Sequence, residues 1–241
     1  MSKDKIFSDR IDKISDFAFD DSVASVFDDM IHRSVPGYEL TLDIVGLFAS
    51  DYVQPESYCY DLGSSLGAVS EAIQKNVRQE GCRVFAVDNS PAMIHRSKIL
   101  VDTKNKRVPV HLICADIRDI KIINASLVVL NFTLQFIRPE NRLVLLQRIY
   151  DGLLPGGILL LSEKIAFDDE KEHNFQIHMY YEFKKLHGYS ELEISQKRTA
   201  LENVLIPDTL NMHCERLRQA GFKRCYLWFQ ALNFCSLVAI K

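Results

Sequence analysis

The chain has 241 residues, of which 29 are Lys or Arg and 32 are Asp or Glu, so its formal net charge is −3. Apolar residues make up 47% and charged residues 25%, the mixture of an ordinary globular protein, which excludes collagen-like, coiled-coil and disordered classes. The near-neutral balance argues against a protein that mainly coats nucleic acid or a membrane surface. The longest uncharged apolar stretch, residues 125–137, is too short to cross a bilayer.

The N-terminus and the cysteines both indicate a cytoplasmic protein. Residues 1–13 are charged throughout and contain no hydrophobic signal region. The cysteines form no Cys-x-x-Cys pair, and several lie in apolar runs typical of strands, so we expect reduced core thiols rather than disulfides or a metal site. They are Cys59, Cys82, Cys114, Cys214, Cys225 and Cys235.

The first fifty residues predict a helical cap. Apolar residues recur at helical spacing from Val23 to Ile31, and Pro36-Gly37 ends this pattern. A second apolar helix is expected from about Tyr38 to Val53.

From residue 56 onward, short apolar runs alternate with amphipathic helices. Near-continuous apolar strands separated by such helices are typical of a parallel sheet covered on both faces. We therefore predict an α/β protein with a doubly wound, mostly parallel sheet of seven strands. Five of the runs cover residues 57–61, 83–88, 108–116, 127–131 and 157–163.

The last third of the chain departs from this alternation. Segment 166–208 is charged and aromatic and predicts a helical insertion, whereas runs 225–229 and 234–240 predict a terminal antiparallel hairpin. We expect a single domain. Its parts are an N-terminal cap (1–55), a nucleotide-binding core (56–165), the insertion (166–208) and a final helix with the hairpin (209–241).

The residues that indicate a function follow the first strand, in the sequence DLGSSLG at 61–67. Glycine at this position allows a sharp turn and the close approach of a ligand. Asp88 ends the second strand, 21 residues after Gly67, where a carboxylate can accept both hydrogen bonds of a ribose diol. Both features lie at the carboxyl edge of the sheet, where open α/β sheets bind ligands.

This pattern favours S-adenosyl-L-methionine over a dinucleotide. The dinucleotide fingerprint G-x-G-x-x-G has glycine where the backbone approaches the pyrophosphate, and this chain has Ser65 there. S-adenosyl-L-methionine has no pyrophosphate. Asp116 and Ile117 follow the third strand, where they can contact adenine, and Asn131 ends the fourth strand over the same pocket. This order is typical of a class I methyltransferase-like Rossmann fold.

Longer motifs make the chain resemble the bacterial carboxy-S-adenosyl-L-methionine synthase family, nearly from end to end. Ser64 departs from a close relative, which has cysteine; a loop side chain that points away from the ligand can vary there. The motifs are RSVPGY at 33–38, DLGSSLG at 61–67, VDNSPAM at 87–93, VLNFTLQF at 129–136 and GYSELEISQKR at 188–198.

The resemblance implies an unusual reaction. S-adenosyl-L-methionine and prephenate would give carboxy-S-adenosyl-L-methionine, phenylpyruvate and water. The product would supply a partner tRNA carboxymethyltransferase that forms 5-oxyacetyluridine at the wobble position. The resemblance also implies a homodimer, with no direct binding of nucleic acid and no membrane association.

The resemblance further implies a set of site residues. Arg198 would bind the new carboxylate of the product, because a guanidinium stays charged and forms a planar fork onto a carboxylate. No metal is expected, since His173 and His178 lack a zinc-binding context. The residues that would hold the nucleoside and amino-acid portions are Tyr38, Gly63, Ser64, Ser65, Asp88, Asn89, Asp116, Ile117 and Asn131.

Three other functions stay open at this point. An ordinary small-molecule methyltransferase would bind the same ligand but would not depend on Arg198. A non-catalytic protein that binds S-adenosyl-L-methionine and recruits tRNA would be retained by tRNA in a salt-dependent way. A nicotinamide-dependent dehydrogenase would bind a dinucleotide instead.

Overall fold

The structure is a computed structural model that describes residues 3–101 and 107–241. Within this part, the strands are β1 (Tyr58–Leu62), β2 (Arg83–Asp88), β3 (Val110–Cys114), β4 (Ala125–Asn131), β5 (Leu153–Ala166), β6 (Asp208–Thr209), β7 (Arg224–Ala231) and β8 (Phe234–Ile240). The α-helices are α1 (Asp21–Ser34), α2 (Tyr38–Tyr52), α3 (Ala68–Asn76), α4 (Pro91–Leu100), α5 (Pro139–Gly152), α6 (Glu170–Leu186), α7 (Glu191–Leu201) and α8 (Leu210–Ala220). A short 3₁₀ helix covers Leu134–Phe136.

The sheet confirms the predicted doubly wound architecture. Its order is β3-β2-β1-β4-β5-β8-β7, with parallel pairing from β3 to β5 and an antiparallel terminal hairpin of β7 and β8. The two-residue β6, which the sequence did not predict, pairs with β5 outside this order. The chain reverses its winding between β1 and β4, and this is the position where such sheets form a ligand crevice.

Two apolar layers cover the sheet. Side chains of α2 and α3, including Val45, Ala49 and Ile73, pack on one face, and Leu146 and Ile149 of α5 pack on the other with α8. All five side chains are at most 1% exposed. Burial of both faces explains why the strand sequences are nearly continuous apolar runs.

Local signals fix several helix starts. The Ser90 hydroxyl accepts a hydrogen bond from the Met93 amide at 3.2 Å, and Pro91 is the first helical residue of α4, as predicted. Ser190 and Glu193 form a reciprocal capping box at the start of α7. These caps fix the residues at which α4 and α7 begin.

Three details differ from the sequence interpretation. Strand β5 starts at Leu153 rather than at residue 157, with a register shift opposite β4 where Gly156 has a positive φ of 77°. Residues 3–19 are irregular rather than helical, and Gln196 hydrogen-bonds to their backbone at Phe7, Asp9 and Ile11. The Cys114 thiol is exposed at the end of the edge strand β3, although all six cysteines are free, as expected. Among the described residues, no helix has the length and apolar character needed to cross a membrane.

Candidate functional site

A cavity of about 400 Å³ opens at the carboxyl edge of the sheet. It lies around the ends of β1, β2 and β4, where the winding reverses, and α1 and α7 contribute further walls. Its volume is within the range of small-molecule sites. Nine of the ten site residues expected from the sequence line it: Tyr38, Gly63, Ser64, Ser65, Asp88, Asn89, Asp116, Ile117 and Asn131.

The loop after β1 requires an unusual backbone. Gly63 has a φ of 85°, and a Cβ there would overlap the Thr133 side chain. Ser65 has a φ of 47°, a left-handed conformation that L-residues adopt at a cost. Phe132 has a φ of 58° on the adjacent wall of the cavity. Backbone strain at the two non-glycine residues, Ser65 and Phe132, is typical of a ligand site.

The amides of Gly63, Ser64 and Ser65 are already used within the protein. The amides of Gly63 and Ser64 donate to Val87 O at 2.8 and 2.9 Å, and the Ser65 amide donates to Asp88 Oδ2 at 2.9 Å. A pyrophosphate needs free amides at this position. The loop therefore does not suit a dinucleotide, in agreement with the prediction made from Ser65.

Asp88 is oriented by its neighbours. Its Oδ1 accepts from the Ser90 amide at 2.8 Å, while Oδ2 accepts from Ser65, so the carboxylate plane is fixed. Each oxygen retains a lone pair for a further donor. Burial raises the pKa of Asp88, and the two amide hydrogen bonds oppose this effect. A diol that donates to both oxygens would stabilise the ionised form.

Unpaired buried oxygens indicate where a ligand is missing. Asp61 Oδ2 accepts from the Ser70 amide at 3.0 Å and from its hydroxyl at 2.7 Å, but Asp61 Oδ1 has no partner within residues 3–101 and 107–241. Ser64 Oγ and Asn131 Oδ1 also lack partners in that part of the chain. All three residues line the cavity. Burial raises the pKa of Asp61 to about 7, so a cationic group beside it would be favourable. These residues fit a ligand that has an ammonium group and a ribose.

Asp116 and Ile117 lie at the edge of the cavity nearest β3. The Asp116 carboxylate accepts a bidentate pair from Arg118, whose Nη2 lies 2.6 Å from Oδ2. This hydrogen bonding lowers the pKa of Asp116. Ile117 is buried and supplies an apolar wall. Asp116 thus meets a ligand as a carboxylate already paired with Arg118.

The opposite end of the cavity, at β5, is cationic. Lys164 lies near the carboxyl end of β5 with its ammonium 4.8 Å from the centre of the Tyr180 ring. Lys184 lies 5.4 Å from the same ring and 5.4 Å from the Tyr189 ring. The Lys197 ammonium also lies 5.4 Å from the centre of the Tyr189 ring. Three lysines thus alternate with two tyrosine rings.

Of these three lysines, Lys197 has a carboxylate nearby, that of Asp4. Asp4 accepts from the Tyr189 hydroxyl at 2.7 Å and lies 3.8 Å from the Lys197 ammonium. Burial lowers the pKa of Lys197 to about 8 and that of Lys164 to about 8. Burial and the nearby Lys197 lower the pKa of Lys184 to about 7.

Residues 4–19, in the irregular N-terminal segment, cover the side of the cavity next to α7. Gln196 of α7 donates to Phe7 O and Asp9 O at 3.0 and 2.8 Å and accepts from the Ile11 amide at 2.7 Å. Farther along, the Phe17 amide donates to Ala200 O at 2.8 Å. Phe17 and Phe19 line the cavity, so the segment forms an apolar part of its wall.

Arg198 is the one expected site residue that does not line the central cavity. It is exposed on the outer side of α7, in a separate depression with His178, Glu182 and Glu191. Lys197, one position earlier, faces the central cavity instead. Successive helical residues differ by about 100° in direction, which explains the separation.

Several lining residues were not identified from the sequence. Asp61 was part of the glycine-loop motif, and Lys164 directly follows the predicted fifth strand, so a search for charged residues at strand ends would have found both. Tyr180 and Lys197 carry no such local signal. Their placement depends on how α6 and α7 pack.

Comparisons with known proteins show what the whole chain is similar to. A family model described as a methyltransferase domain matches residues 60–157. A Geobacter (strain M21) protein named carboxy-S-adenosyl-L-methionine synthase is 54% identical over 239 residues, covering 99% of this chain and 98% of its own. A protein of the same name from Vibrio campbellii is 54% identical over 238 residues, with 99% and 97% covered.

Solved structures show a similar fold at low identity. A putative S-adenosyl-L-methionine-dependent methyltransferase from Methanococcus maripaludis has a TM-score of 0.59 and 20% identity, covering 95% of this chain and 96% of its own. Human N-acetylserotonin methyltransferase, in complex with SAM, has a TM-score of 0.59 and 17% identity, with 92% and 55% covered.

Proposed function

This chain belongs to the carboxy-S-adenosyl-L-methionine synthase family, and on that premise we propose that it carries out the reaction named by the family. As an enzyme of the methyltransferase-like class, it takes S-adenosyl-L-methionine as substrate and gives carboxy-S-adenosyl-L-methionine as product. The proposed second substrate is prephenate, which is converted to phenylpyruvate.

The reaction balances without a metal or a redox partner. Prephenate loses CO₂ and hydroxide as its ring becomes aromatic. The hydroxide removes a proton from the sulfonium methyl group, which gives water and an ylide. The ylide carbon then forms a bond to CO₂. The protein's task is to hold the two substrates together and to exclude solvent, so that CO₂ is captured before it escapes.

The observation that carries the proposal is the two-ended cavity. One end has Asp88 and Asp116 at the strands that bind a nucleoside, and the other end has Lys164 and Lys197. A methyl acceptor does not require cationic side chains, whereas a dianionic acid does.

The roles of the site residues follow from their positions. Asp88 would accept from the ribose diol, with Asn89 beside it. Asp116 and Ile117 would contact adenine, while Asp61 Oδ1 would accept from the ammonium of the methionine portion. Ser64 Oγ would take a polar atom of the same portion. Tyr38, Gly63, Ser65 and Asn131, which also line the cavity, would make the remaining contacts.

Arg198 would bind the carboxylate of the product across a homodimer interface. Its guanidinium lies outside the central cavity of its own chain, on the exposed side of α7. A partner chain packed on that face would bring the guanidinium to a second cavity. Homodimers with shared sites are common because two-fold symmetry completes both sites at once.

A mixing experiment tests the role of Arg198. Arg198→Ala and Asp88→Asn chains would be combined and allowed to exchange subunits, at a concentration of S-adenosyl-L-methionine low enough that neither chain alone is active. Action across the interface regenerates one intact site per mixed dimer, or about a quarter of the wild-type activity after random exchange. Action within one chain regenerates none, which would contradict the shared site.

Mass spectrometry tests the reaction itself. The small molecule released from the purified protein by denaturation should be S-adenosyl-L-methionine plus one CO₂, and prephenate labelled with ¹³C at its ring carboxylate should transfer the label to it. Transfer of an unmodified methyl group to an acceptor would establish an ordinary methyltransferase instead. Retention of tRNA at physiological salt would support a recruiting protein.

The proposed place of the enzyme is cytoplasmic tRNA modification. The product would be consumed by a tRNA carboxymethyltransferase acting on a hydroxylated wobble uridine. The net charge of −3 agrees with an enzyme that leaves the binding of tRNA to that partner.

A further inference from the structure

Lys164 is a half-buried cation in the wall of the cavity, and the described part of the chain gives it no counter-ion. Its ammonium has neither a hydrogen bond nor an ion pair within residues 3–101 and 107–241, and its contact is the face of the Tyr180 ring at 4.8 Å. Buried ammonium groups in proteins are normally paired, because loss of hydration is costly. An aromatic face compensates for only part of that cost. Such a residue in the wall of a cavity indicates a missing anion.

The cations near Lys164 already have partners within the protein or lie outside the cavity. Arg33 donates to the carbonyls of His187 and Gly188, each at 2.8 Å, and to Asp29 at 3.0 Å. Lys197 donates to Ser34 Oγ at 3.3 Å and has Asp4 nearby. Lys184 lies behind Tyr180 and does not line the cavity. Lys164 is therefore the least satisfied cation that lines the cavity.

The position of Lys164 relative to the nucleoside end is fixed by the sheet. Asp88 ends β2 and Asp61 lies in β1, whereas β5 lies beyond β4 on the other side. Lys164 pairs in register with Phe234 of β8, which also lines the cavity. A ligand at Lys164 would thus lie past the methionine portion, on the side away from the adenine.

We propose that Lys164, supported by Lys197, forms an anion subsite that receives a carboxylate of the acid co-substrate. The inference rests on the proposed function, since it assigns a substrate group to the second half of the same cavity. The lowered pKa of Lys164, about 8, agrees with it: a bound carboxylate would restore the protonated form. The other source of a carboxylate at this place is the methionine portion of S-adenosyl-L-methionine.

Two binding measurements separate these sources. The affinity for S-adenosylhomocysteine, which has the methionine carboxylate but no methyl group, would be measured by calorimetry. The affinity for prephenate would be measured on protein saturated with that ligand, so no turnover interferes. Lys164→Met should weaken prephenate binding at least about tenfold and change the affinity for S-adenosylhomocysteine less than about threefold.

The controls separate charge from folding. Lys164→Arg keeps the charge and should recover part of the affinity, and thermal melting should show both variants folded. Lys98→Met removes one exposed lysine on α4, outside the cavity, and should leave both affinities unchanged. If Lys164→Met weakens binding of S-adenosylhomocysteine instead, or leaves prephenate binding unchanged, the subsite is wrong.

Turnover distinguishes failure of this inference from failure of the proposed function. A wild-type enzyme that makes the carboxylated product, with a Lys164→Met variant of unchanged KM for prephenate, would overturn only the subsite. A wild-type protein that makes no such product but binds prephenate through Lys164 would overturn the reaction and retain the subsite. Absence of prephenate binding to the wild type would overturn the subsite.

Discussion

The two ends of the cavity are built in different ways. At the nucleoside end, Ser65 and Asp88 belong to neighbouring strand ends, and backbone amides hold them within a rigid sheet. At the cationic end, Lys164 on β5 meets Tyr180 on α6 and Lys197 on α7, closed by residues 4–19. The first end suits a ligand shared by many enzymes of this fold. The second end is assembled from added segments, and under the proposed function it would select the second substrate.

Gly63→Ala should have the largest effect and should act on the nucleoside end. The positive φ and the overlap with Thr133 together predict a loss of about 2–4 kcal/mol of unfolding free energy and at least about 100-fold weaker binding of S-adenosyl-L-methionine. Denaturant unfolding and calorimetry measure the two effects.

The matched control for that variant is Gly156→Ala. Gly156 also has a positive φ, but a Cβ there would have its nearest neighbour, Gln54 Nε2, at 3.8 Å. It should lose only about 1 kcal/mol and bind the ligand normally. Equal losses in the two variants would show that backbone strain, rather than contact with Thr133, fixes the loop.

Asp88→Asn tests whether the nucleoside end binds its ligand independently of Lys164 at the cationic end. The amide cannot accept from both the Ser65 and the Ser90 amides, so we expect about 10- to 100-fold weaker binding of S-adenosylhomocysteine. Asp119→Asn, at an exposed carboxylate near the same edge, is the control. If Lys164→Met and Asp88→Asn weaken the same ligand equally, the two ends do not act separately.

The raised pKa of Asp61 predicts that both protein stability and ligand affinity change with pH. Its folded pKa of about 7 lies above the unfolded value of 3.8, so ionisation of this group lowers the stability of the free protein as pH rises from about 4 to 7. A ligand ammonium favours the ionised form, so affinity for S-adenosylhomocysteine should rise by up to about tenfold between pH 6 and 8. Calorimetry across this range measures it.

Asp61→Asn should bind more weakly and lose most of that pH dependence. The amide keeps a hydrogen-bond acceptor for Ser70 but cannot ionise. An unchanged pH profile in the variant would assign the dependence to another group, such as Asp88, whose pKa is also raised by burial.

Ser64→Ala should have the smallest effect. Ser64 Oγ has no partner in the described protein, and the Ser64 amide already donates to Val87 O. We expect a change in affinity of no more than about threefold, measured as for Asp88→Asn. A larger loss would show that the hydrogen bond from this hydroxyl to the ligand is a strong one, and that the departure from cysteine at this position matters.

The sequence predicted the nucleoside end because its signals are local. Asp88 and the glycine loop follow apolar strands directly, and parallel strands bring their carboxyl ends together whatever covers them. The cationic end depends on contacts between distant segments, such as Tyr189 with Asp4. The family resemblance implied Arg198 but not Lys197, which the packing of α7 directs into this chain's cavity.

The bonds between residues 4–19 and α7 also constrain the order of synthesis. Asp4, Phe7 and Asp9 leave the ribosome first, yet their partners Tyr189 and Gln196 follow about 185 residues later. At roughly 5–20 residues per second, the N-terminal segment waits on the order of ten seconds or more before the cavity wall forms. A tag fused ahead of Asp4 would lie next to this part of the cavity wall while it forms, so a C-terminal tag suits recombinant production better.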